Sequence, residues 1–360
     1  MSERPLSSTA PQSGLRSAPP PPAEAADARQ RLAIGVDIGG TKIAAGVVDE
    51  AGVIIDRERR PTPGADVGRT EDAIVDVVAA LSARHVVTAV GIGAAGWIST
   101  DLATVLFSPH LAWRDAPLRA ALRRRISVPM VLDNDANAAA WAEYRFGAAR
   151  DASVAVCITL GTGIGGGHIA NGALQRGAHG VGAEFGHMTV VPDGHRCACG
   201  NRGCWETYAS GSALARDARE LAQVSPVAAA ELMRLAGNDL NKLTGALVTE
   251  AARGGDQAAI DIYTTMGRWL GRGLANLAAA LDPDVFVIGG GVSQAGEQLL
   301  LDPARQTFAE SLTGRGYRPL ARIELAELGP DAGLVGAADI ARLIEQSPDV
   351  PAGKPAVRPA

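Results

Sequence analysis

Aromatic side chains are scarce in this chain of 360 residues, of which they make up 4%, whereas glycine occurs 43 times. That balance favours an α/β protein with many tight turns. No apolar run is long enough to cross a membrane, and a net charge of −5 offers no basic surface for nucleic acid. The sequence therefore predicts that neither a membrane nor a nucleic acid is a partner.

Cysteine is also rare, and three of the four cysteines lie in one short stretch, as Cys197, Cys199 and Cys204. The N-terminal residues lack the apolar segment of a signal peptide, and Cys197 is too near Cys199 in the chain for an easy disulfide. We therefore expect reduced thiols in a cytoplasmic protein. The fourth cysteine, Cys157, lies in an apolar run and is expected in the core.

The clustered cysteines predict a structural zinc site, because thiolates and imidazole are the ligands that tetrahedral zinc prefers. The imidazole is supplied by His187, ten residues before Cys197. The predicted ligands are His187, Cys197, Cys199 and Cys204, with no open position for catalysis. The alternative, four unrelated reduced cysteines, is disfavoured by their clustering.

Two carboxylates, Glu184 and Glu206, flank the predicted zinc site. If zinc takes one nitrogen of His187, the other nitrogen is held in a fixed direction and can meet a hydroxyl of a sugar. The stretch then forms a wall for a polyhydroxylated ligand. The alternative is that both glutamates are solvated surface acids, as isolated glutamates usually are.

Both ends of the chain differ in composition from the middle. Residues 1–30 and 347–360 are rich in proline and alanine and predict disordered tails. The length between them suffices for two domains. We predict a small α/β domain over 31–138, joined by a C-terminal helix at about 331–346, and a large domain with the zinc motif over 139–330.

Two glycine turns lie between runs of apolar residues and predict β-hairpins, at DIGGTK (37–42) and LGTG (160–163). Backbone N–H groups in such turns can hold phosphates, and the repetition implies an internally duplicated fold that binds phosphates from both sides. A Walker-type loop is excluded because no helix follows the glycines. Ordinary hairpin turns are the alternative. The predicted phosphate-binding residues are Asp37, Gly39, Gly40, Thr41, Lys42, Gly161, Thr162 and Gly163, with Asp37 also placed to hold Mg²⁺ through water.

A third glycine turn, Gly289, Gly290 and Gly291, follows a buried strand and is expected to enter a helix close to the adenosine of a nucleotide. The turn GAAG at 93–96 matches a dinucleotide fingerprint, but no clear helix follows it. We expect its backbone, near Gly96, to approach a ligand.

Polar residues follow the strand predicted at 128–133, just before a helix predicted at 138–146. Open α/β sheets bind ligands at this position, so Asp135 is the candidate general base and Asn134 a candidate for orienting the substrate. Capping of the helix by Asp133, Asp135 or Asn137 is the alternative. Other predicted elements are a polar stretch at 56–69 and helices over 70–83, within 212–281 and over 333–345.

These motifs together resemble the ROK family of sugar kinases, specifically its actinobacterial-type glucokinases. The resemblance runs from about 32 to 344 and rests on DIGGTK, GAAG, NDAN, LGTGIGGG, EFGH, CACGNRGCWE and VIGGGVS. It implies a two-domain actin/hexokinase-like α/β fold (ribonuclease H-like) with a cleft between the domains, and ATP-dependent phosphorylation of the 6-hydroxyl of glucose with Mg²⁺. The implied sugar-binding residues are Gly96, Asn134, Asp135, Glu184, His187 and Glu206, with Asp135 as the base.

The resemblance leaves four matters open. The sugar could be N-acetylmannosamine, N-acetylglucosamine, mannose, fructose or allose in place of glucose, and polyphosphate could replace ATP. A sugar-sensing repressor is a second class, although 30 proline-rich residues are too few for its DNA-binding domain. A dimer or tetramer is implied by the family alone. One departure is Asp133, where many relatives have Glu.

Overall fold

A computed structural model describes residues 31–109 and 111–346 of the chain. Both predicted tails, 1–30 and 347–360, lie outside the described residues. In chain order the described strands are β1 Ala33–Ile38, β2 Lys42–Val48, β3 Ile54–Pro61, β4 Ala89–Ala94, β5 Trp97–Ile98, β6 Val105–Phe107, β7 Arg114–Ala116, β8 Met130–Asn134, β9 Val154–Leu160, β10 Ile164–Ala170, β11 Ala173–Leu174, β12 Val285–Gly289 and β13 Arg322–Leu325.

The helices lie between groups of these strands, and four of them, α4 to α7, follow one another between β11 and β12. In chain order the α-helices are α1 Val67–Ser82, α2 Leu118–Arg123, α3 Asp135–Phe146, α4 Gly211–Val224, α5 Ala230–Leu235, α6 Gly245–Arg253, α7 Gln257–Leu281, α8 Asp302–Ser311 and α9 Ala332–Gln346. Short 3₁₀ turns and a π turn lie between them, notably at Gly291–Ala295 and Glu297–Leu301. Within the described residues, no helix is both long and apolar enough to span a bilayer.

Two five-stranded sheets share one topology. The first has the order β3-β2-β1-β4-β8 and the second the order β11-β10-β9-β12-β13. In each, three strands pair antiparallel in succession and the first of them also pairs parallel with a later strand. The duplication that the two glycine turns predicted is therefore present in the fold. The strands β5, β6 and β7 form a small antiparallel sheet of their own.

Two hydrophobic cores lie on either side of the second sheet. Alternate residues of β9 point to opposite faces, so Cys157 packs in the first core and Val156 in the second. The first core also holds the first sheet with α1, α3 and α9, while α4 to α8 cover the second core. Cys157 is buried, as predicted.

Helices α3 and α9 pack against each other and onto the sheet with almost no side chain between backbones. An added Cβ on Gly91 would lie 1.8 Å from the carbonyl oxygen of Ala337, and one on Gly336 would lie 1.8 Å from that of Ala138. Only glycine permits this approach. The small-residue helix predicted at 333–345 is thus confirmed as α9.

Several predicted boundaries shift. The stretch at 56–69 overlaps the strand β3, which begins at Ile54 and whose alternating exposure and charged residues are typical of an edge strand. Helix α3 begins at Asp135, three residues before the predicted start, because Asn134 caps it. The predicted domain limits at 138 and 330 fall inside α3 and inside the 3₁₀ turn Gly329–Asp331. The division into these two domains stays a prediction.

Candidate active site

The end of β8 and the start of α3 present polar side chains towards neighbouring loops. Asp135 is the first residue of α3, where the N-terminal end of the helix dipole favours a negative charge. Its Oδ1 accepts a hydrogen bond from the amide of Ala136 at 2.9 Å. The side chain is half-buried, so it can reach a ligand while remaining fixed by the helix.

The helix cap is Asn134, and the sequence had placed that role on one of its neighbours. Asn134 Oδ1 accepts from the amide of Asn137 at 3.0 Å, and its Nδ2 donates to the carbonyl oxygen of Gly96 at 3.0 Å. One N–H of the amide remains for a ligand. Asn134 therefore caps the helix and also ties the GAAG turn to α3, while its orienting role stays a prediction.

Gly96 lies in the turn between β4 and β5 with φ +143°. An added Cβ there would lie 2.3 Å from the carbonyl oxygen of Phe107. No other residue fits, because the positive φ and the close backbone contact both demand glycine. The turn is consequently held in one conformation beside Asn134.

Glu184, His187 and Glu206 lie together, as the sequence predicted. His187 Nε2 is 3.9 Å from Glu184 Oε2, and His187 Nδ1 is 3.6 Å from Glu206 Oε1. Burial raises the pKa of Glu184, the nearby imidazole of His187 opposes the rise, and the negative charge of Asp135 adds to it. The last effect places Glu184 within electrostatic reach of Asp135. These residues form one continuous polar wall.

The same histidine joins the cysteine cluster. Ligand atoms of His187, Cys197, Cys199 and Cys204 all lie within 4.8 Å of one another. Cys199 Sγ is 3.7 Å from Cys204 Sγ, and Cys197 Sγ is 3.6 Å from His187 Nδ1. Zinc bonds of about 2.3 Å to sulfur and about 2.0 Å to nitrogen at tetrahedral angles give separations of about 3.8 and 3.6 Å. The donor set and its spacing fit zinc.

The cysteine segment is fastened to the second core by Trp205. This side chain is fully buried, and its Nε1 donates to the carbonyl oxygen of Trp269 in α7 at 2.9 Å. An added Cβ on Gly273 would lie 2.0 Å from the indole ring. Glu206 is the next residue in the chain, so the fixed position of Trp205 also fixes where the Glu206 carboxylate lies.

The first predicted phosphate turn lies between β1 and β2. It is closed by a hydrogen bond from the amide of Gly39 to the carbonyl oxygen of Lys42 at 3.0 Å, and Thr62 Oγ1 donates to Gly39 at 2.8 Å. Gly40, Thr41 and Lys42 are exposed at its tip. Burial raises the pKa of Asp37 to about 7, and the charge of Asp135 adds to the effect.

The second predicted phosphate turn, Gly161 to Gly163, contacts two other parts of the site. The amide of Gly211 at the start of α4 donates to the carbonyl oxygen of Gly161 at 2.8 Å, and that of Ser212 donates to Thr162 at 3.3 Å. The amide of Ile164 donates to Glu206 Oε2 at 3.4 Å. The structure therefore joins this turn to the wall of Glu184, His187 and Glu206.

The third turn, Gly289 to Gly291, lies against the second. Gly290 has φ +88°, and an added Cβ would lie 2.4 Å from the carbonyl oxygen of Leu160. The predicted helix after it starts as the 3₁₀ turn Gly291–Ala295, and α8 follows only at Asp302. All predicted site residues thus fall into two connected groups, one around Asp37 and Asp135 and one around the second and third turns.

Two residues beside the site were missed from the sequence. Trp97, at the start of β5, forms a hydrogen bond to Glu184 that acts to lower the carboxyl pKa, and its ring packs against Phe107 at 5.4 Å. Arg176 binds the buried carboxylate of Asp133 through Nε at 2.9 Å and Nη2 at 2.5 Å. No local pattern marks Arg176. For Trp97 the sequence gives one weak signal, an aromatic residue directly after a glycine turn.

The fold and the site together define an α/β protein with two sheets, glycine turns suited to phosphates and a polar wall built on a Cys₃His cluster. The model of the ROK family matches residues 33–343, and the chain belongs to that family. It is 49% identical over 315 residues to the glucokinase of Streptomyces coelicolor, covering 86% of this chain and 98% of that protein. It is 34% identical over 310 residues to the N-acetylmannosamine kinase of Yersinia pseudotuberculosis, covering 86% and 98%.

Among solved structures, the chain resembles a ROK family glucokinase from Streptomyces griseus in complex with glucose and AMPPNP. The TM-score is 0.80 and the identity 52%, over 87% of this chain and 99% of that one. The predicted fold class, a two-domain actin/hexokinase-like α/β fold, is thereby confirmed.

Proposed function

We propose that the chain is an ATP-dependent glucokinase, which transfers the terminal phosphoryl group of ATP to the 6-hydroxyl of glucose. One observation carries the proposal: Asp135 lies between the first phosphate turn and the polar wall. Asp37 at that turn pairs with Gly93, and an added Cβ on Gly93 would lie 3.6 Å from Cα of Asp135. On the other side, the charge of Asp135 helps to raise the pKa of Glu184. A base between a phosphate site and a sugar site is the arrangement that phosphoryl transfer to a hydroxyl requires. The similarity to a glucokinase solved with glucose and AMPPNP supports the same substrates.

In this proposal Asp135 orients the 6-hydroxyl and accepts its proton as the phosphoryl group arrives. Asn134 and the backbone at Gly96 hold the sugar on one side. On the other side Glu184 and Glu206 accept hydrogen bonds from sugar hydroxyls, and His187 donates one from Nε2. Enzymes that transfer phosphoryl groups act mainly by positioning their substrates and by neutralising charge. The main contribution of α3 is therefore to hold Asp135 in a fixed geometry.

The two hairpin turns, with Gly289 to Gly291 beside the second, hold the nucleotide. Asp37 fits a site for Mg²⁺ through water, because its carboxyl lies near Asp135 and a cation would offset the repulsion between the two. Bound Mg²⁺ supplies neutralisation of the phosphate charge. The exposed Thr41 and Lys42 add a hydroxyl and a positive charge at the same turn.

Zinc, held by His187, Cys197, Cys199 and Cys204, has a structural role in this proposal. All four positions are taken by protein ligands, which leaves none for catalysis. With Nδ1 of His187 towards the sulfur of Cys197, Nε2 faces Glu184 and the sugar. The metal thus fixes the direction of a sugar-binding imidazole.

The test is a coupled ADP-release assay with Mg-ATP and a panel of sugars, applied to the wild type and to Asp135→Asn. We expect strong turnover with glucose, and for Asp135→Asn a kcat lower by at least ~10²-fold with little change in sugar binding. The matched control is Asp76→Asn on the exposed face of α1, which should leave kcat unaltered. A near-normal kcat in Asp135→Asn would refute the assignment of the base.

A second candidate keeps the reaction and changes the sugar. The 34% identity to an N-acetylmannosamine kinase favours including acetylated amino sugars in the panel, together with mannose and fructose. Turnover with one of these and not with glucose would select it. Absence of turnover with every sugar, in folded protein, would instead favour a sugar-binding regulator. Replacing ATP by polyphosphate in the same assay tests the alternative phosphoryl donor, and light scattering tests the predicted dimer or tetramer.

A further inference from the structure

The ion pair between Arg176 and Asp133 connects two parts of the chain that the proposed sugar site needs in register. Asp133 is in β8, directly before Asn134 and Asp135. Arg176 follows β11, at the start of the loop that leads to Glu184. β8 is an edge strand of the first sheet and β11 an edge strand of the second. The pair therefore joins the two sheets beside the site.

The ion pair is largely buried and makes several hydrogen bonds. The Asp133 side chain is 3% exposed and the Arg176 side chain 26%. Asp133 Oδ2 accepts both arginine hydrogen bonds, while its Oδ1 accepts from the amide of Asn134 at 2.8 Å and from Asn137 Nδ2 at 3.3 Å. A two-pronged guanidinium fixes direction as well as distance. Any displacement of Arg176 is consequently transmitted to the backbone at Asn134.

Arg176 also closes the loop that it begins. Its carbonyl oxygen accepts from the amide of Gly182 at 2.9 Å, which draws the two ends of the loop together. An added Cβ on Gly180 would lie 2.2 Å from the carbonyl oxygen of Ile98, so the middle of the loop lies against β5. Ala183 then adopts φ +66° immediately before Glu184. Held at both ends and at its middle, the loop fixes where the Glu184 carboxylate points.

We propose that Arg176, through its ion pair with Asp133, is the positioning residue that holds the Glu184 wall in register with Asn134 and Asp135 for sugar binding. This inference rests on the proposed glucokinase activity. A displacement of about 1 Å in a positioned group can cost on the order of 10²-fold in rate. Because the pair positions groups of the proposed sugar site, its loss is expected to weaken sugar binding and to spare nucleotide binding.

The test measures KM for glucose, KM for ATP and kcat in Arg176→Met, Asp133→Asn and the double variant. We expect KM for glucose to rise by ~10-fold or more in each single variant, with KM for ATP within about twofold of wild type. The double variant should be no worse than the singles, because both remove one interaction. The carboxylate-retaining variant Asp133→Glu should keep most of the affinity for glucose.

The matched control is Arg145→Met, which breaks another pair with a nearly buried aspartate, Arg145 Nε to Asp339 Oδ2 at 2.9 Å. Arg145 lies ten residues further along α3 than Asp135, about 15 Å at 1.5 Å per residue. It should lower thermal stability without altering KM for glucose. If Arg176→Met does not fold, Arg176→Lys, which keeps the charge and loses the fork, is measured in its place.

An unchanged KM for glucose in a folded Arg176 variant, or equal rises in KM for glucose and ATP, would overturn the inference. Failure of the proposed function is a separate result, since the wild type itself would then show no turnover with glucose.

Discussion

The buried carboxylate of Glu143 holds together two chain segments that leave the sheets. It lies in α3, is 2% exposed, and accepts three backbone hydrogen bonds. Oε2 accepts from the amides of Ala148 at 3.0 Å and Glu327 at 3.1 Å, and Oε1 accepts from that of Leu328 at 2.8 Å. Ala148 follows α3, while Glu327 and Leu328 lead from β13 to α9. One side chain thus secures both connections.

Glu143→Gln keeps the shape and replaces one oxygen by an amide group that cannot accept. At least one of the three N–H groups loses its acceptor and faces another donor. A buried donor left without a partner costs about 1–3 kcal/mol, and the remaining bonds lose their charge assistance. Removing a buried charge returns part of this free energy. We expect a net destabilisation of about 2 kcal/mol, which lowers Tm by about 3 °C in a chain of this length.

Differential scanning calorimetry of the wild type and Glu143→Gln measures this shift. The matched control is Glu327→Gln, because Glu327 forms an exposed ion pair with Arg150 in the same region, with side chains 51% and 54% exposed. Exposed pairs contribute about 0–1 kcal/mol, so the control should melt close to wild type. If Glu143→Gln melts no lower than Glu327→Gln, the reasoning about the three amides is wrong.

Two further predictions concern the metal and pH. Cys199→Ser should lose its bound zinc, as measured by elemental analysis, and should have a lower Tm, because structural metal binding is coupled to folding. The control Cys157→Ser, in the core and outside the cluster, should keep its zinc. A zinc-free wild type would contradict the site. Hydrogen bonds from Arg84 and His85 lower the pKa of Asp56 from 3.8 to about 2. Its contribution to stability is therefore complete above pH ~4 and lost as pH falls towards 2. Asp56→Asn should melt below wild type at neutral pH, with the gap closing as melts are repeated at successively lower pH; a constant gap would contradict the ion pair.

The sequence predicted best where local chemistry is decisive. The β1–β2 and β9–β10 hairpins follow from glycine turns between apolar runs, and both are present. The Cys₃His cluster follows from residue type and spacing, and its ligand atoms do lie together. In each case the signal and its cause are contained in one short stretch of chain.

The sequence failed where the partner is distant. β3 looks like a loop because its charged residues alternate on an edge strand, and only pairing with β2 makes it a strand. The sequence offered only a capping role for Asp133, yet its carboxylate binds Arg176, 43 residues away. Glu143 gave no signal, since its three donors come from segments five and about 185 residues away. Such contacts are set by tertiary packing, for which one sequence offers no local pattern.

The duplication explains why acidic residues converge on Asp37. In both halves three antiparallel strands lead, through helices and two parallel strands, to a final helix, so that α9 is the counterpart of α3. Asp135 begins α3 and Asp331 directly precedes α9, positions where a helix dipole favours negative charge. The charges of both raise the pKa of Asp37. The halves differ in the cysteine segment between β11 and α4, which places Glu184 near Asp135. The two acids therefore occupy equivalent places but differ in their partners. Arg57 binds both oxygens of Asp331, at 2.6 and 2.8 Å, whereas Asp135 faces the side on which the cysteine segment places Glu184.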